Sequence, residues 1–263
     1  MESDGADPLV TIATLALATF AIGVILGFVG AGGAGVLVAL LTSLFHLPIH
    51  EAIGTSLAAM WFVTVAGAVS HFREGNIAPR IGFIVGLAGM VGAIAGARFG
   101  QDISPEILKP AAGLALWFLA LLVWLRTRIT PGAIAAEDEA VPPATLPAVL
   151  SGVGLGFSGG AAAAFFGVGM APFLQLGLLT ALRLPLRHAV GTTMLTLVFI
   201  SASGTLVLAR HGDVSLPHLA GAVVGLCGGS FLGARFTRRA PRSVLRVAVV
   251  LVPVLAGSLL LFG

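Results

Sequence analysis

Pro48-Ile49-His50-Glu51-Ala52-Ile53-Gly54-Thr55-Ser56 returns 137 residues further on as Pro185-Leu186-Arg187-His188-Ala189-Val190-Gly191-Thr192-Thr193. The same offset holds without a gap between residues 28 to 99 and 165 to 236, with 20 identities in 72 positions. The identities include residues that turns and close packing need: Gly30/Gly167, Gly32/Gly169, Pro48/Pro185, Gly54/Gly191, Thr55/Thr192, Gly75/Gly212 and Gly96/Gly233. Repetition on this scale means two homologous halves, and in a membrane such halves are the signature of transporters.

The solvent these halves expect is lipid. Hydrophobic residues make up 57% of the chain, charged residues only 10%, and mean hydropathy is +1.06, far from soluble averages. The first Lys or Arg is Arg73. Glu2, Asp4 and Asp7 replace the basic region of a secretory signal, so residues 8 to 29 read as a retained first helix. One cysteine, Cys227, excludes an intramolecular disulfide. A pI near 10.4 does not point to nucleic acid, because the few positive charges gather at helix ends and are better explained by orientation in a bilayer.

Apolar segments fall at 8–29, 34–46, 52–72, 81–100 and 107–125, and again at 146–166, 171–182, 189–209, 217–236 and 244–262. The chain therefore divides into a first half (1–126), a linker (127–145) and a second half (146–263). The linker holds Pro131, Pro142, Pro143 and the acidic run Glu137, Asp138, Glu139, and reads as solvated. The fold class expected is an all-α polytopic membrane protein with two inverted-repeat halves of about five helical segments, the second segment of each half short.

That second segment is too short for a hydrocarbon core of roughly 30 Å. It either crosses together with the glycine-rich turn before it or returns to its own side. If it crosses, each half makes five passages and the halves are inverted. With the N-terminus outside and the linker inside, 11 of the 14 Lys and Arg residues then lie inside, leaving Arg98, Lys109 and Arg210 outside. If it returns, the split is 9 against 5. The positive-inside bias favours inverted halves.

The glycine-rich turns interrupt apolar segments where a plain spanning helix would not break. They run from Gly27 through Gly30, Gly32 and Gly33 to Gly35, and from Ser158-Gly159-Gly160 to Gly167-Val168-Gly169-Met170-Ala171-Pro172. Behind each turn lies a helix N-terminus with unpaired N–H groups and partial positive charge, which attracts anions. Gly30, Gly32, Gly33, Gly167 and Gly169 are accordingly candidate anion-binding positions. Thr55, Ser56, Thr192 and Thr193 follow a Pro-initiated turn, and their hydroxyls either bond the backbone or donate to an anion's oxygens.

These motifs, with the Gly75-Asn76-Ile77 and Gly212-Asp213-Val214 turns, resemble those of the sulfite exporter TauE/SafE family of bacterial membrane permeases. The resemblance covers nearly the whole chain and implies movement of sulfite, organosulfonates, thiosulfate-like or related small anions across the cytoplasmic (inner) membrane. One position departs from it: the family often has Pro after the turn, as at Pro172, where the first half has Gly35.

Gln175 is the one amide in either short segment and a further candidate for the site. Glu51, His50 and His188 are candidate carriers if H+ drives transport, with Na+ the alternative ion; together with His71 they also suit helix ends, where their polar groups reach water. Gly82/Gly86, Gly92/Gly96, Gly221/Gly225 and Gly229/Gly233 are G-x-x-x-G pairs expected to pack helix on helix within the chain. Arg98 and Arg235 read as interfacial anchors. The chain has no H-E-x-x-H, C-x-x-C, G-x-S-x-G or P-loop, so an enzyme, a metal site and a cofactor are not expected. The reading is a permease working by alternating access, in contact with membrane lipid and with a homodimer as candidate assembly. A passive anion channel of the same architecture, or a permease for another small organic anion, is the alternative.

Overall fold

The structure, a computed structural model, describes residues 14–21, 23–24, 34–129, 145–237 and 242–263, except for the side chains of 126–129 and 230–249. Every element among them is helical. The helices are α1 (helical over 14–21 and 23–24), α2 (Ala34–Ser43), α3 (Ile49–Arg73), α4 (Pro79–Gln101), α5 (Pro105–Ile129), α6 (Leu146–Phe166), α7 (Ala171–Thr180), α8 (Leu186–Arg210), α9 (Leu216–Thr237) and α10 (Arg242–Phe262). Both ends of α2 and of α3 recur at the 137-residue offset in α7 and α8. The linker lies almost wholly outside the described residues, as do the first thirteen residues of the chain, both ends of the segment expected at 8–29, and Gly30, Gly32 and Gly33.

The repeated boundaries have repeated local causes. Pro48 and Pro185 stand at the N-caps of α3 and α8 with nearly equal backbone angles, φ −53° and −55°. Gly75 (φ 72°) and Gly212 (φ 84°) end these helices in the left-handed conformation that glycine adopts without penalty. The N–H groups of Asn76 and Asp213 then donate back to His71 O (2.9 Å) and Leu208 O (3.1 Å), satisfying carbonyls of the last turn. His46 and Arg183 form a third pair, both left-handed at φ 53° and 52°. The Gly-Thr-Ser and Gly-Thr-Thr triplets lie a turn inside α3 and α8, because Pro48 and Pro185 start each helix earlier than hydropathy suggests.

Five described helices are long and apolar enough to cross a membrane: α3, α4, α5 over Pro105–Leu125, α6 and α8. Their outer faces carry Phe72, Phe83, Phe99, Trp124, Leu146 and Leu206, large apolar side chains that water would not leave uncovered in such number. Arg98 is exposed at the end of α4, as an interfacial anchor would be.

Two pairs of equivalent helices, α3 with α8 and α5 with α10, pack antiparallel. Along α3 the sites of Gly54 and Gly67 face Leu208 and Met194 of α8, while Gly204 and Gly191 of α8 face Leu57 and His71, so one number rises as the other falls. In α5 and α10, Gly113 faces Leu261 and Gly257, and Trp117 Nε1 donates to Val254 O at 3.2 Å. Arg73 and Arg210 therefore stand at opposite ends of the bundle.

α7 turns back along α6: Gly159 faces Leu174, Gly177 faces Leu155, and Gly152 faces Leu182 beyond the end of α7. The short helix with its flanking turns thus retraces most of α6, and α8 starts near the end where α6 began. A 10-residue helix of about 15 Å covers this distance together with the non-helical residues 167–170 and 181–185 on either side of it.

The glycine pairs bring backbones together between the halves. A Cβ on Gly92 or Gly96 of α4 would collide with the carbonyl oxygens of Phe157 or Ala161 of α6, and one on Gly160 would collide with that of Gly89. Gly82 and Gly86 instead receive Leu195 and Phe199 of α8. At the other end of the repeat Gly225 and Gly229 of α9 meet residues 16 to 24 of α1, and Thr19 Oγ1 lies 3.2 Å from Gly221 O. The first helix of each half is therefore packed on the fourth helix of the other half, within one chain.

Candidate functional site

Two reciprocal contacts tie the halves together. The backbone N–H of Ala78, at the start of α4, donates to Thr192 Oγ1 in α8 at 3.0 Å, and that of Ser215, at the start of α9, donates to Thr55 Oγ1 in α3 at 3.0 Å. Donors and acceptors are each 137 residues apart, so these are one contact made twice. Both threonines are fully buried. Beside them, a Cβ on Gly54 would strike the carbonyl oxygen of Asp213, and one on Gly191 that of Asn76. The Gly-Thr pair is thus a docking notch: glycine admits the other half's turn and threonine accepts its first free N–H. Each hydroxyl keeps its own proton to donate.

The turn that opens α7 lies next to the Thr55 clasp and meets the start of α2. Gly167 ends α6 at φ 67°, packed against Ile53 of α3, and the buried residues Val168, Gly169 and Met170 lead inward to α7. Gly35, the second residue of α2, faces Val168 of that turn, with Leu116 of α5 closing over it. The N-terminus of α2 and the turn that opens α7 therefore meet across the two halves. This also accounts for Gly35 standing where the second half has Pro172: both helices begin at the same place in the repeat, and a larger residue in α2 would meet Val168 and Leu116.

Among the described residues the buried polar side chains are hydroxyls and one amide, Gln175 of α7, which is 4% exposed. Thr193 Oγ1 donates to Ala189 O of its own helix at 2.7 Å. Its counterpart Ser56 is as deeply buried, yet its hydroxyl has no partner. Ser56 follows Ile53 by three residues and so shares the face of α3 that meets Gly167. Thr196 Oγ1, one turn beyond Thr192, is also buried without a partner. It went unnoticed in the sequence because its counterpart in the first half is Ala59.

The ionisable candidates lie at helix ends. His50 Nε2 lies 3.1 Å from Gly100 O at the end of α4, His188 Nδ1 is buried without a partner, and Glu51 lies within electrostatic reach of His218 at the start of α9. His218 was not singled out in the sequence, since Ile81 takes its place in the first half.

A duplicated, lipid-facing helical bundle with broken helices meeting in its interior defines a multi-pass membrane protein of the transporter class. The model of the sulfite exporter TauE/SafE family matches residues 15–260, and the chain belongs to that family. It is 43% identical over 246 residues to the probable membrane transporter protein YdhB of Bacillus subtilis (strain 168), covering 94% of this chain and 98% of that one. A probable membrane transporter protein of Xylella fastidiosa (strain 9a5c) is 29% identical over 236 residues, covering 87% of this chain and 86% of that one. No solved structure matches the chain. Family and relatives alike are described as membrane transporters, not enzymes, and the family implies a small-anion substrate.

Proposed function

We propose that the chain is an alternating-access permease for small oxyanions such as sulfite or organosulfonates. Its halves lie inverted in the cytoplasmic membrane, with the linker inside, and the anion is held where α2 and α7 begin. The observation that carries this is the contact of Gly35 with Val168, which brings the start of one short helix to the turn that opens the other. Unpaired N–H groups at such starts attract negative charge. The buried side chains of Ser56 and Gln175 serve the anion as polar partners, and Thr193 donates by giving up its bond to Ala189. Thr55 and Thr192 stand at the two ends of the bundle, where their remaining protons meet the anion as it enters or leaves and the clasps open in turn. Gly30, Gly32, Gly33, Gly167 and Gly169 let the backbone approach the guest.

The antiparallel packing of α3 on α8 supports the inverted arrangement, since two crossing helices related in this way point in opposite directions through the bilayer. The return of α7 along α6 supports five passages per half. Two clasps at opposite ends of the bundle suit a mechanism that opens one end at a time.

The test is reconstitution of the full chain in proteoliposomes with labelled sulfite, thiosulfate and sulfonates. Counterflow, in which unlabelled anion inside drives accumulation of label, is expected for at least one of them. Label that only equilibrates would indicate a channel, and absence of flux for all three classes would overturn the reading.

A further inference from the structure

The two clasps match in backbone and differ in chemistry. At the Thr192 clasp the docked turn carries Asn76, Ala78 and Ile81, and His188 lies close by in α8. At the Thr55 clasp the equivalent positions are Asp213, Ser215, His218 and Glu51. Here Ser215 Oγ lies 2.7 Å from His218 Nδ1, while the N–H of the same serine makes the bond to Thr55. The ring of Phe45 closes on His218 edge-on, with centroids 6.0 Å apart, and one carboxylate oxygen of Asp213 is buried with no partner. The docked turn that shuts one end of the bundle thus carries a titratable ring hydrogen-bonded to its own serine, whereas the other docked turn has Ala78 and Ile81 in those places.

We propose that His218 is the proton site that couples transport, with Glu51, one turn before Thr55 in α3, as its counter-charge, and that proton uptake there releases the Thr55 clasp. This rests on the permease reading. In the neutral ring Nδ1 is free to accept the Ser215 O–H, which leaves Ser215 in place at the start of α9. A second ring proton makes both nitrogens donors, so the bond must reverse and the serine hydroxyl must find another acceptor. It also places a cation in the first turn of a helix, where the unpaired N–H groups are already positive. Glu51 offsets part of that cost and Asp213 is close enough in the chain to answer it after a small movement. The docked position of the turn therefore favours the neutral ring, and opening, which hydrates the ring, favours the charged one. Proton binding and clasp opening are then linked, each promoting the other.

The other titratable groups around this end do not take the role. His50 is engaged at Gly100 O, His211 Nδ1 lies 2.9 Å from Val207 O, and His46 and Arg210 are exposed. The inference moves the coupling histidine from His50 and His188, which the sequence suggests, to His218, and keeps Glu51.

The experiment compares wild type, His218→Asn, Glu51→Gln and the exposed control His46→Asn in proteoliposomes. For each, uptake of labelled sulfite driven by a pH gradient is divided by counterflow at symmetric pH. His218→Asn keeps a side-chain partner for Ser215 but does not titrate, and the ratio is expected to fall about tenfold, as loss of one unit of linked proton affinity would give. His46→Asn is expected to match wild type. A second readout needs no substrate: the melting temperature in detergent between pH 8 and 5.5, the range over which imidazole charges. Because the closed clasp prefers the neutral ring, its stability is present at high pH and lost on acidification, so wild type should lose more than His218→Asn. Equal ratios and equal pH slopes in wild type and His218→Asn would overturn the inference while leaving the permease reading intact. Absence of counterflow in wild type would sink that reading instead, and the melting comparison would still decide whether His218 titrates at the clasp.

Discussion

Replacing Thr192 by Val removes a hydroxyl and keeps the shape of the side chain, so it isolates one bond between the halves. Ala78, whose N–H donates to that hydroxyl at 3.0 Å, is buried at 4% exposure, and water cannot readily take the vacated place. A buried donor left unpaired costs about 1–3 kcal/mol. For a chain of this size that corresponds to a fall of roughly 2–4 °C in melting temperature per kcal/mol, or about 2–12 °C in all. The neighbouring Thr193→Val is the matched control. Its hydroxyl bonds only Ala189 O of its own helix, an oxygen that the helix ladder already serves, and Thr and Val differ little in helix propensity, so a change within about 0.5 kcal/mol is expected. The assay is thermal unfolding of both variants in detergent, followed by intrinsic tryptophan fluorescence, with Thr192→Ser as the rescue. If Thr192→Val melted within a degree of Thr193→Val, or if Thr192→Ser failed to recover most of the loss, the clasp would not be holding the halves together. Thr55→Val should cost less, about 0.5–1.5 kcal/mol, because Ser215 is only partly buried and its N–H has access to water.

The notch beside each threonine makes a steric prediction. Gly54→Ala and Gly191→Ala both drive a Cβ into a backbone carbonyl and should each cost at least about 1–3 kcal/mol, seen as loss of the monodisperse peak in size-exclusion chromatography, whereas Gly154→Ala in open space should be tolerated. Single cysteines placed at Arg73 and Arg210, in a chain lacking Cys227, should react with impermeant reagents from opposite sides of the membrane, and labelling from one side would refute the inverted arrangement. Ser56→Ala removes a buried hydroxyl that has no partner, so stability should hold or rise slightly. If that hydroxyl serves the anion, the KM for counterflow should rise by about tenfold, the equivalent of one hydrogen bond to a charged group, and an unchanged KM would remove Ser56 from the site.

The helices themselves were largely legible. Hydropathy placed α6 at its observed bounds and located α2 to α5 and α7 to α10 to within a few residues at each end, because a spanning segment must be apolar over a length that the bilayer sets. The misplaced starts of α3 and α8 came from polar His50, Glu51, Arg187 and His188, which lower hydropathy in a first turn that the preceding proline has already made helical. At the site, the pairing of Gly with Thr was visible as repetition, and the readings offered for the hydroxyls were self-bonding or ligand binding. Thr193 follows the first. Thr55 and Thr192 make a third kind of bond, to a backbone N–H of the opposite half.

What the amino-acid sequence determined alone is the all-helical membrane class, the division into two homologous halves and the places where helices break, since each depends on local composition and on neighbours a few residues away. Only the tertiary structure decided that each half's turn seats in the other half's notch and that Ser56 lacks a partner. It also decided that His218 comes to lie at one clasp with nothing titratable in its place at the other. Those contacts join groups 114 and 160 residues apart, and an N–H that seeks a distant hydroxyl leaves no periodicity in the chain to announce it.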